Sequence, residues 1–185
     1  MSKRIMNEVM CLAEHLDIKI FYQDTDSMHI EKSRLNDLVA AYNKEYNREL
    51  IGSNLGQFHS DFDELTGDVY ATKSIFLGKK AYIDMLENDK GEHSVHYRMK
   101  GVPLKCIKYY ALMNFTNMTL DQYKSIDSKQ ERIAIKREAL WKLYMKLYEG
   151  DSITFDLNLT QVRFRRNALR QMETVSKFTR KVSFK

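Results

Sequence analysis

A strand, a tight turn and a returning strand are predicted by residues 18–31, IKIFYQDTDSMHIE. Apolar side chains at positions 18, 20 and 22, and again at 28 and 30, recur at every second residue, which is the period of a half-buried strand. The bend falls on residues 24–27, where Thr and Ser side chains tolerate turns and hydrogen-bond locally. The stretch therefore predicts a β-hairpin with an acidic tip.

Two carboxylates lie one residue apart at that tip. Asp24 and Asp26 repel each other unless a cation or a shared proton lies between them, and a divalent metal is the simplest resolution. Asp is also common in solvated turns, so the pair alone leaves a plain hairpin turn open. A phosphatase-like loop, an apolar strand leading into Asp-x-Asp, fits residues 24–27 but meets Met28 where Thr or Val is expected.

Length and composition describe a globular chain. With 185 residues, 43% of them apolar, the chain has enough material for a core in one domain or two small ones. No apolar run approaches the roughly 20 residues that span a bilayer, and the first residues lack the apolar region of a signal peptide. Cys11 and Cys106 have no metal-type spacing. Two such distant cysteines predict an intracellular, reducing compartment.

Charge is distributed unevenly along the chain. Residues 1–92 contain 11 Lys and Arg against 17 Asp and Glu, a net charge of −6, whereas residues 93–185 contain 19 against 8, a net charge of +11. An acidic half suits metal binding, and a basic half suits a phosphate backbone. The charge distribution therefore supports a nucleic-acid function without establishing one.

The periodicity of the chain predicts both helices and strands. An apolar helical stripe covers residues 2–16, and Ser33 is expected to cap a second helix that runs to about Leu50 and stops at Gly52. β-rich runs follow at 69–77 and 80–86, joined at Gly78. This order predicts an α+β fold in which helices back an antiparallel sheet.

A helical region is predicted in the second half. Thr119 and Gln122 form a capping-box pattern that opens it. It continues to Gly150 with a break near 127–128, and an apolar stripe predicts the buried face of its last helix. Trp141 lies beside that stripe and is expected to be a packing residue.

Residues 22–27, Tyr-Gln-Asp-Thr-Asp-Ser, match the pattern YxDTDS throughout and resemble the C motif of family B DNA polymerases. Residues 2–10 resemble the segment that precedes this motif in the viral and plasmid branch, which is often protein-primed. The resemblance implies a DNA-directed DNA polymerase with two Mg²⁺ ions, which activate the primer 3′ hydroxyl and neutralise the triphosphate leaving group. By position, Asp26 matches the metal-coordinating catalytic acid, and Asp24 matches its close, secondary partner.

A second specific match lies in residues 77–82, LGKKAY. Family B polymerases have a KxY element, often preceded by another basic residue, where the palm meets the thumb. Lys80 and Tyr82 match it. On a strand these two side chains share one face and could meet a primer phosphate and sugar, with Lys79 pointing the other way. Residues 96–103 resemble the start of the thumb, and Lys100 within them is a further DNA-binding candidate.

The C-terminal stretch 161–185 is basic, with eight Lys and Arg against one Glu, and it is interleaved with Phe. Such a pattern is typical of a basic strand with one buried face or of a surface that grips duplex DNA, and both can hold at once. Arg163, Arg165 and Arg166 are therefore candidate DNA contacts.

The resemblance divides the chain into the C-terminal part of a polymerase palm, residues 1–98, and a thumb, residues 99–185, mainly helical with some β structure. It implies that an Asp on a neighbouring palm strand, the fingers and the exonuclease lie upstream, so that the chain alone is inactive and is either a fragment or a split-gene product. The expected partners are primer–template DNA, deoxynucleoside triphosphates, the rest of the polymerase and, in the protein-primed branch, a terminal protein; no membrane is expected. A phosphatase-like enzyme using Asp24 and Asp26, or a non-catalytic DNA-binding module, are the alternatives.

Overall fold

The computed structural model describes residues 2–62, 64–158, 163–166, 169, 171–175 and 178–184, with only the backbone described at residues 2, 163–166 and 172–175. The chain folds as two compact units, Met1–Asp63 (unit 1) and Glu64–Lys185 (unit 2). Each unit has a separate cluster of buried apolar side chains. Within the described part of the chain, no helix is long and apolar enough to cross a membrane.

Unit 1 is a hairpin packed with two helices. It contains α1 (Ser2–His15), β1 (Ile20–Asp24), β2 (Ser27–Ile30), a 3₁₀ turn (Lys32–Arg34) and α2 (Leu35–Tyr46). The apolar stripe of α1 and that of α2 meet in one cluster, against which the apolar positions of the hairpin pack: Ile5, Val9, Ala13, Ile18, Leu38, Tyr42 and Leu50, with Ile20, Met28 and Ile30. The predicted helix–hairpin–helix order is confirmed.

The predicted bounds of α2 are wrong at both ends. Ser33 does not cap the helix, because its hydroxyl donates to Glu31 Oε1 at 2.6 Å and lies in the 3₁₀ turn. The helix ends at Tyr46, since Asn47 adopts a left-handed conformation with φ of 48°, which Asn tolerates better than most residues. Leu50 is nevertheless buried, although it follows the helix instead of lying on it.

Unit 2 is built on an antiparallel three-stranded sheet backed by helices. Its strands are β3 (Val69–Gly78), β4 (Ala81–Asn88) and β5 (His93–Met99), paired in that order. One face of the sheet packs with α3 (Leu104–Phe115) and α5 (Lys129–Tyr148) in a single apolar cluster whose members include Ile75, Ile83, Met85, Val95, Ile107, Leu140 and Leu143. The predicted α+β class is confirmed.

The helical region was predicted in part. Thr119 and Gln122 form the capping box of α4 (Leu120–Lys124), and Ser128 caps α5 by accepting from the Glu131 backbone N–H, so the predicted opening and break are confirmed. Trp141 packs against the apolar cluster as expected. The sequence pattern did not indicate β5 or α3, which begins directly after Pro103.

Four short strands complete unit 2. β6 (Ile153–Asp156) pairs with β9 (Thr179–Val182), and β7 (Arg163–Arg166) pairs with β8 (Met172–Val175), in both cases antiparallel. Ile153, Phe155 and Val182 are buried in the cluster of unit 2. Some β structure after the helices is therefore present, as predicted.

The expected boundary between residues 98 and 99 lies inside unit 2, whereas the two compact units divide after residue 63. The sheet and the helices that follow it share one core, and the Tyr144 hydroxyl of α5 donates to the Arg98 carbonyl of β5 at 2.7 Å. These contacts explain why residues 64–98 group with the helices. The palm and thumb labels, which are functional, stay a prediction.

Candidate functional site

The acidic pair lies at the tip of the β1–β2 hairpin. Asp24 pairs with Ser27 across the two strands, which leaves Thr25 and Asp26 as the turn. This local geometry follows from the alternating apolar positions of the two strands, because they pack on the cluster of unit 1. The predicted hairpin is confirmed, and it places both carboxylates at one end of it.

The two carboxylates differ in their surroundings. Asp24 is half-buried, and its Oδ1 accepts hydrogen bonds from the backbone N–H of Thr25 at 2.7 Å and from the Thr25 hydroxyl at 3.1 Å. Asp26 is exposed. Asp24 is therefore fixed by its neighbour, whereas the Asp26 carboxylate faces solvent.

Aromatic side chains contact one another across the hairpin close to its tip. The rings of Tyr22 and His29, which are paired across the strands, meet edge to face with centroids 5.4 Å apart, and Phe62 lies 6.4 Å from His29. Such cross-strand contacts stabilise a two-stranded sheet that is marginal on its own. These contacts thus stabilise the two strands that carry the acidic tip.

The chemistry of the tip fits a hard cation. Carboxylate oxygens are the ligands that Mg²⁺ prefers, and Asp24 and Asp26 supply them from either side of Thr25. Among the described residues, no group of three or more His, Cys, Asp or Glu side chains is arranged to hold a metal ion. The predicted magnesium site takes only two carboxylates from this chain and a further Asp from outside it, and it stays a prediction.

Lys80 does not lie on a strand as expected. β3 ends at Gly78 and β4 begins at Ala81, so Lys79 and Lys80 form a two-residue turn in which Lys80 has a φ of 57°. Lys80 and Tyr82 therefore do not share a face through strand alternation, and that premise of the sequence interpretation is wrong. Both lysines are exposed at the end of the sheet.

Basic residues from three distant segments gather at this end of the sheet. The backbone N–H of Lys100 donates to the carbonyl of Lys80 at 2.8 Å. The guanidinium of Arg180, on β9, packs over Gly101, so that a side-chain carbon built on Gly101 would overlap it. Lys79, Lys80, Lys100 and Arg180, all exposed, are called the sheet-end cluster below.

Tyr82 is half-buried and held by a histidine that the sequence pattern did not indicate as its partner. Its ring stacks on His96 with centroids 5.8 Å apart, and its hydroxyl lies 3.5 Å from His96 Nε2. His96 is only 3% exposed, and its Nδ1 lies 2.9 Å from Glu64 Oε1. A carboxylate on Nδ1 favours the proton there, which leaves Nε2 to accept from the tyrosine.

The same face of the sheet carries a buried carboxylate. Ser74, Asp84 and His96 lie directly opposite one another across β3, β4 and β5, and the Ser74 hydroxyl donates to Asp84 Oδ1 at 2.6 Å. Asp84 is completely buried. Strand register brings these polar residues together, and no spacing in the sequence indicates that register.

Arg163, Arg165 and Arg166 lie on β7, and their side chains fall outside the described part of the chain. The strand itself agrees with the predicted basic strand. Whether these arginines contact DNA stays a prediction.

No family of known proteins has a sequence model that matches this chain, and neither a curated protein nor a solved structure matches it. The family B resemblance therefore depends on the residues themselves. It stays a prediction, as do the activity, the magnesium ions, the DNA and nucleotide partners and the reducing compartment.

Proposed function

We propose that this chain is the C-terminal part of a family B DNA-directed DNA polymerase, and that it is catalytically incomplete alone. The observation that carries the proposal is the pair of carboxylates in the sequence YQDTDS at the tip of a hairpin. The motif pattern and the strand–turn–strand context agree there. The sheet-end cluster of unit 2 gives independent support for a nucleic-acid partner.

Asp24 and Asp26 would hold the catalytic metal ions together with an Asp supplied from outside this chain. Two bound Mg²⁺ ions would activate the primer hydroxyl and neutralise charge on the triphosphate. Asp26, as the exposed carboxylate, is the direct ligand in this proposal. Asp24, hydrogen-bonded to Thr25, is the secondary ligand that adds negative charge beside it.

The sheet-end cluster would bind the phosphates of the primer–template. Lysine and arginine side chains neutralise backbone phosphates without reading the sequence, which suits an enzyme that copies any template. Tyr82, oriented by His96, would meet the sugar of the primer strand. Its half-buried position fits a residue that positions the strand and does not take part in the chemistry.

A second candidate is a DNA-binding module with no catalytic role. The sheet-end cluster favours it, because those basic residues bind phosphate whether or not the acidic tip holds metal. The phosphatase-like alternative expects an alternating α/β chain after the acidic pair, and the antiparallel sheet of unit 2 lends it no support.

The test is primer extension with magnesium by the full-length or reconstituted enzyme carrying Asp26→Asn. An amide is a poor substitute for a charged oxygen ligand, so incorporation should fall by on the order of a thousand-fold or more, since metal stabilisation contributes several kcal/mol to the transition state. Asp24→Asn should also be impaired, but less severely.

Glu14→Gln is the matched control, because it removes an exposed carboxylate of unit 1 that lies on α1 and not at the tip. It should extend primers at the normal rate. Circular dichroism should be the same for all three variants. Near-normal extension by Asp26→Asn would contradict the assignment of Asp26 as a catalytic metal ligand and would favour the DNA-binding module.

A further inference from the structure

A cationic pocket lies among the helices of unit 2, apart from the residues proposed to bind the primer–template. Its volume is about 280 Å³, and α3, α4 and α5 all contribute to its lining. The lining residues are Lys108, Tyr123, Lys124, Lys129, Arg132, Ile133 and Lys136. No member of the sheet-end cluster is among them.

The helices are fastened to each other around the pocket. The Tyr123 hydroxyl of α4 donates to the carbonyl of Arg132 on α5 at 3.2 Å, and Tyr123 is only 9% exposed. Lys108 on α3 lies over the same ring, with its Nζ 5.6 Å from the centroid. Tyr123 therefore links all three helices and contributes an aromatic ring to the pocket lining.

The spacing of three cations along α5 places them on the side of the helix that lines the pocket. Lys129, Arg132 and Lys136 lie at positions i, i+3 and i+7, which share one face of a helix. Ile133, beside them, adds an apolar contact. The pocket thus combines ammonium groups, one guanidinium fork and an apolar wall.

The positive charge of the pocket is poorly compensated. All charged lining residues are cations. In the described part of the chain, the ion pairs made by side chains of α3, α4 and α5 join Lys124 to Asp121, Lys142 to Glu138 and Lys146 to Asp151. None of them includes Lys108, Lys129, Arg132 or Lys136. Like charges that line one pocket repel one another, and an anion would relieve that repulsion.

The pKa of Lys136 is affected by the positive charge of the pocket. Burial and then the nearby charge of Lys108 lower its pKa below the ordinary 10.5, against a smaller opposing effect of Glu64. A half-buried ammonium beside another cation is costly unless an anion accompanies it.

We propose that this pocket binds a phosphate-bearing anion. A guanidinium fork together with several ammonium donors matches the charge and the oxygen geometry of phosphate, and the pocket is several times larger than the volume of about 30 Å³ that one water molecule occupies in the liquid. The phosphate comes either from a free polyphosphate, such as the tail of a nucleotide, or from the backbone of a nucleic-acid strand. This proposal does not depend on the polymerase assignment.

Two titrations of the full chain separate these sources: calorimetry with sodium tripolyphosphate, and fluorescence anisotropy with a labelled single-stranded oligonucleotide. The test variant is Lys108→Gln with Arg132→Gln. The control is Lys142→Gln with Lys146→Gln, which removes the same charge from exposed positions of α5 outside the pocket. Removing each charge-assisted hydrogen bond should weaken binding about tenfold.

A free polyphosphate site is supported if tripolyphosphate binds and only the pocket variant weakens it, with oligonucleotide affinity equal in the two variants. A strand site is supported if oligonucleotide affinity falls much further in the pocket variant than in the control. The proposal is overturned if neither ligand distinguishes the two variants. Should the double variant lose its folded circular dichroism spectrum, Lys136→Gln takes its place, because removing a partly buried charge is compatible with folding.

Discussion

The two units place their candidate residues by different means. Unit 1 contains 7 Lys and Arg against 11 Asp and Glu, a net charge of −4, and its two candidate carboxylates lie within three consecutive residues at the tip of one hairpin. Unit 2 contains 23 against 14, a net charge of +9, and its sheet-end cluster joins residues as far apart as Lys79 and Arg180. A local motif survives if its hairpin forms, whereas a cluster assembled from distant segments needs the whole unit to fold.

Within unit 2, the largest change that we expect is a loss of stability at alkaline pH. Burial raises the pKa of Tyr97 from 10.0 to about 12, with Arg98 opposing that rise. Because the folded pKa lies above the unfolded one, the stabilisation is fully present below pH 10 and is lost as the pH rises from 10 to 12. The difference between the folded and unfolded pKa values corresponds to about 3 kcal/mol of unfolding free energy. Over this pH range the wild type should therefore lose up to about 3 kcal/mol more stability than Tyr97→Phe, which has no hydroxyl to ionise.

Urea unfolding followed by the fluorescence of Trp141 measures the unfolding free energy of unit 2 at each pH. Trp141 reports on this unit because it is the single tryptophan of the chain and lies in α5. At pH 7 the two proteins should be similar, since the Tyr97 hydroxyl makes only a long hydrogen bond of 3.5 Å to the Leu104 carbonyl. Equal losses of stability in the two proteins above pH 10 would contradict the burial of Tyr97.

The next effect concerns the charge of the sheet-end cluster. Replacing Lys79, Lys80 and Lys100 with Gln should flatten the dependence of DNA affinity on salt, by about 0.9 in the logarithmic slope for each phosphate that is no longer neutralised. Lys44→Gln with Lys90→Gln, which neutralises exposed lysines elsewhere, should change the slope little. A slope that is the same in both sets would remove the cluster from the DNA interface.

A comparison of Gly101→Ala with Gly91→Ala tests whether Arg180 contacts DNA, and here we expect the smallest change. Gly101 and Gly91 have φ values of 78° and 72°, so Ala at either position should destabilise the chain by about 1 kcal/mol. At Gly101 the new methyl group meets the Arg180 guanidinium, whereas at Gly91 no atom of the described residues lies within 4 Å. Because the end of an arginine side chain moves easily, Gly101→Ala should match Gly91→Ala in unfolding free energy yet bind DNA more weakly. Equal DNA affinity in the two variants would exclude Arg180 from the interface.

Features that depend on neighbouring residues could be predicted from the sequence. The alternating apolar positions on either side of Asp24 and Asp26 specify the hairpin, and the capping box at Thr119 and Gln122 closes within one helical turn. In both cases the hydrogen bonds or the packing join residues close in the chain. The location of the acidic pair was therefore predictable.

Features that depend on pairing between distant segments were missed. The turn before Tyr82 was misplaced because Gly78, the expected turn residue, ends β3, while Lys80 takes the positive φ that Gly or Asn usually supplies. The stacking of Tyr82 on His96 depends on the β4–β5 register, which no local pattern indicates. Arg180 reaches Gly101 only through the folded unit.

We propose that this chain carries part of a polymerase active site together with a DNA-binding surface. The most direct test is one preparation of the chain assayed for primer–template binding over several salt concentrations and for magnesium-dependent extension, with and without a polymerase segment that supplies the fingers and the missing Asp. Binding should weaken steeply as salt rises, and extension should occur only when that segment is added. Robust extension by the chain alone, or DNA binding that is absent or independent of salt, would contradict it.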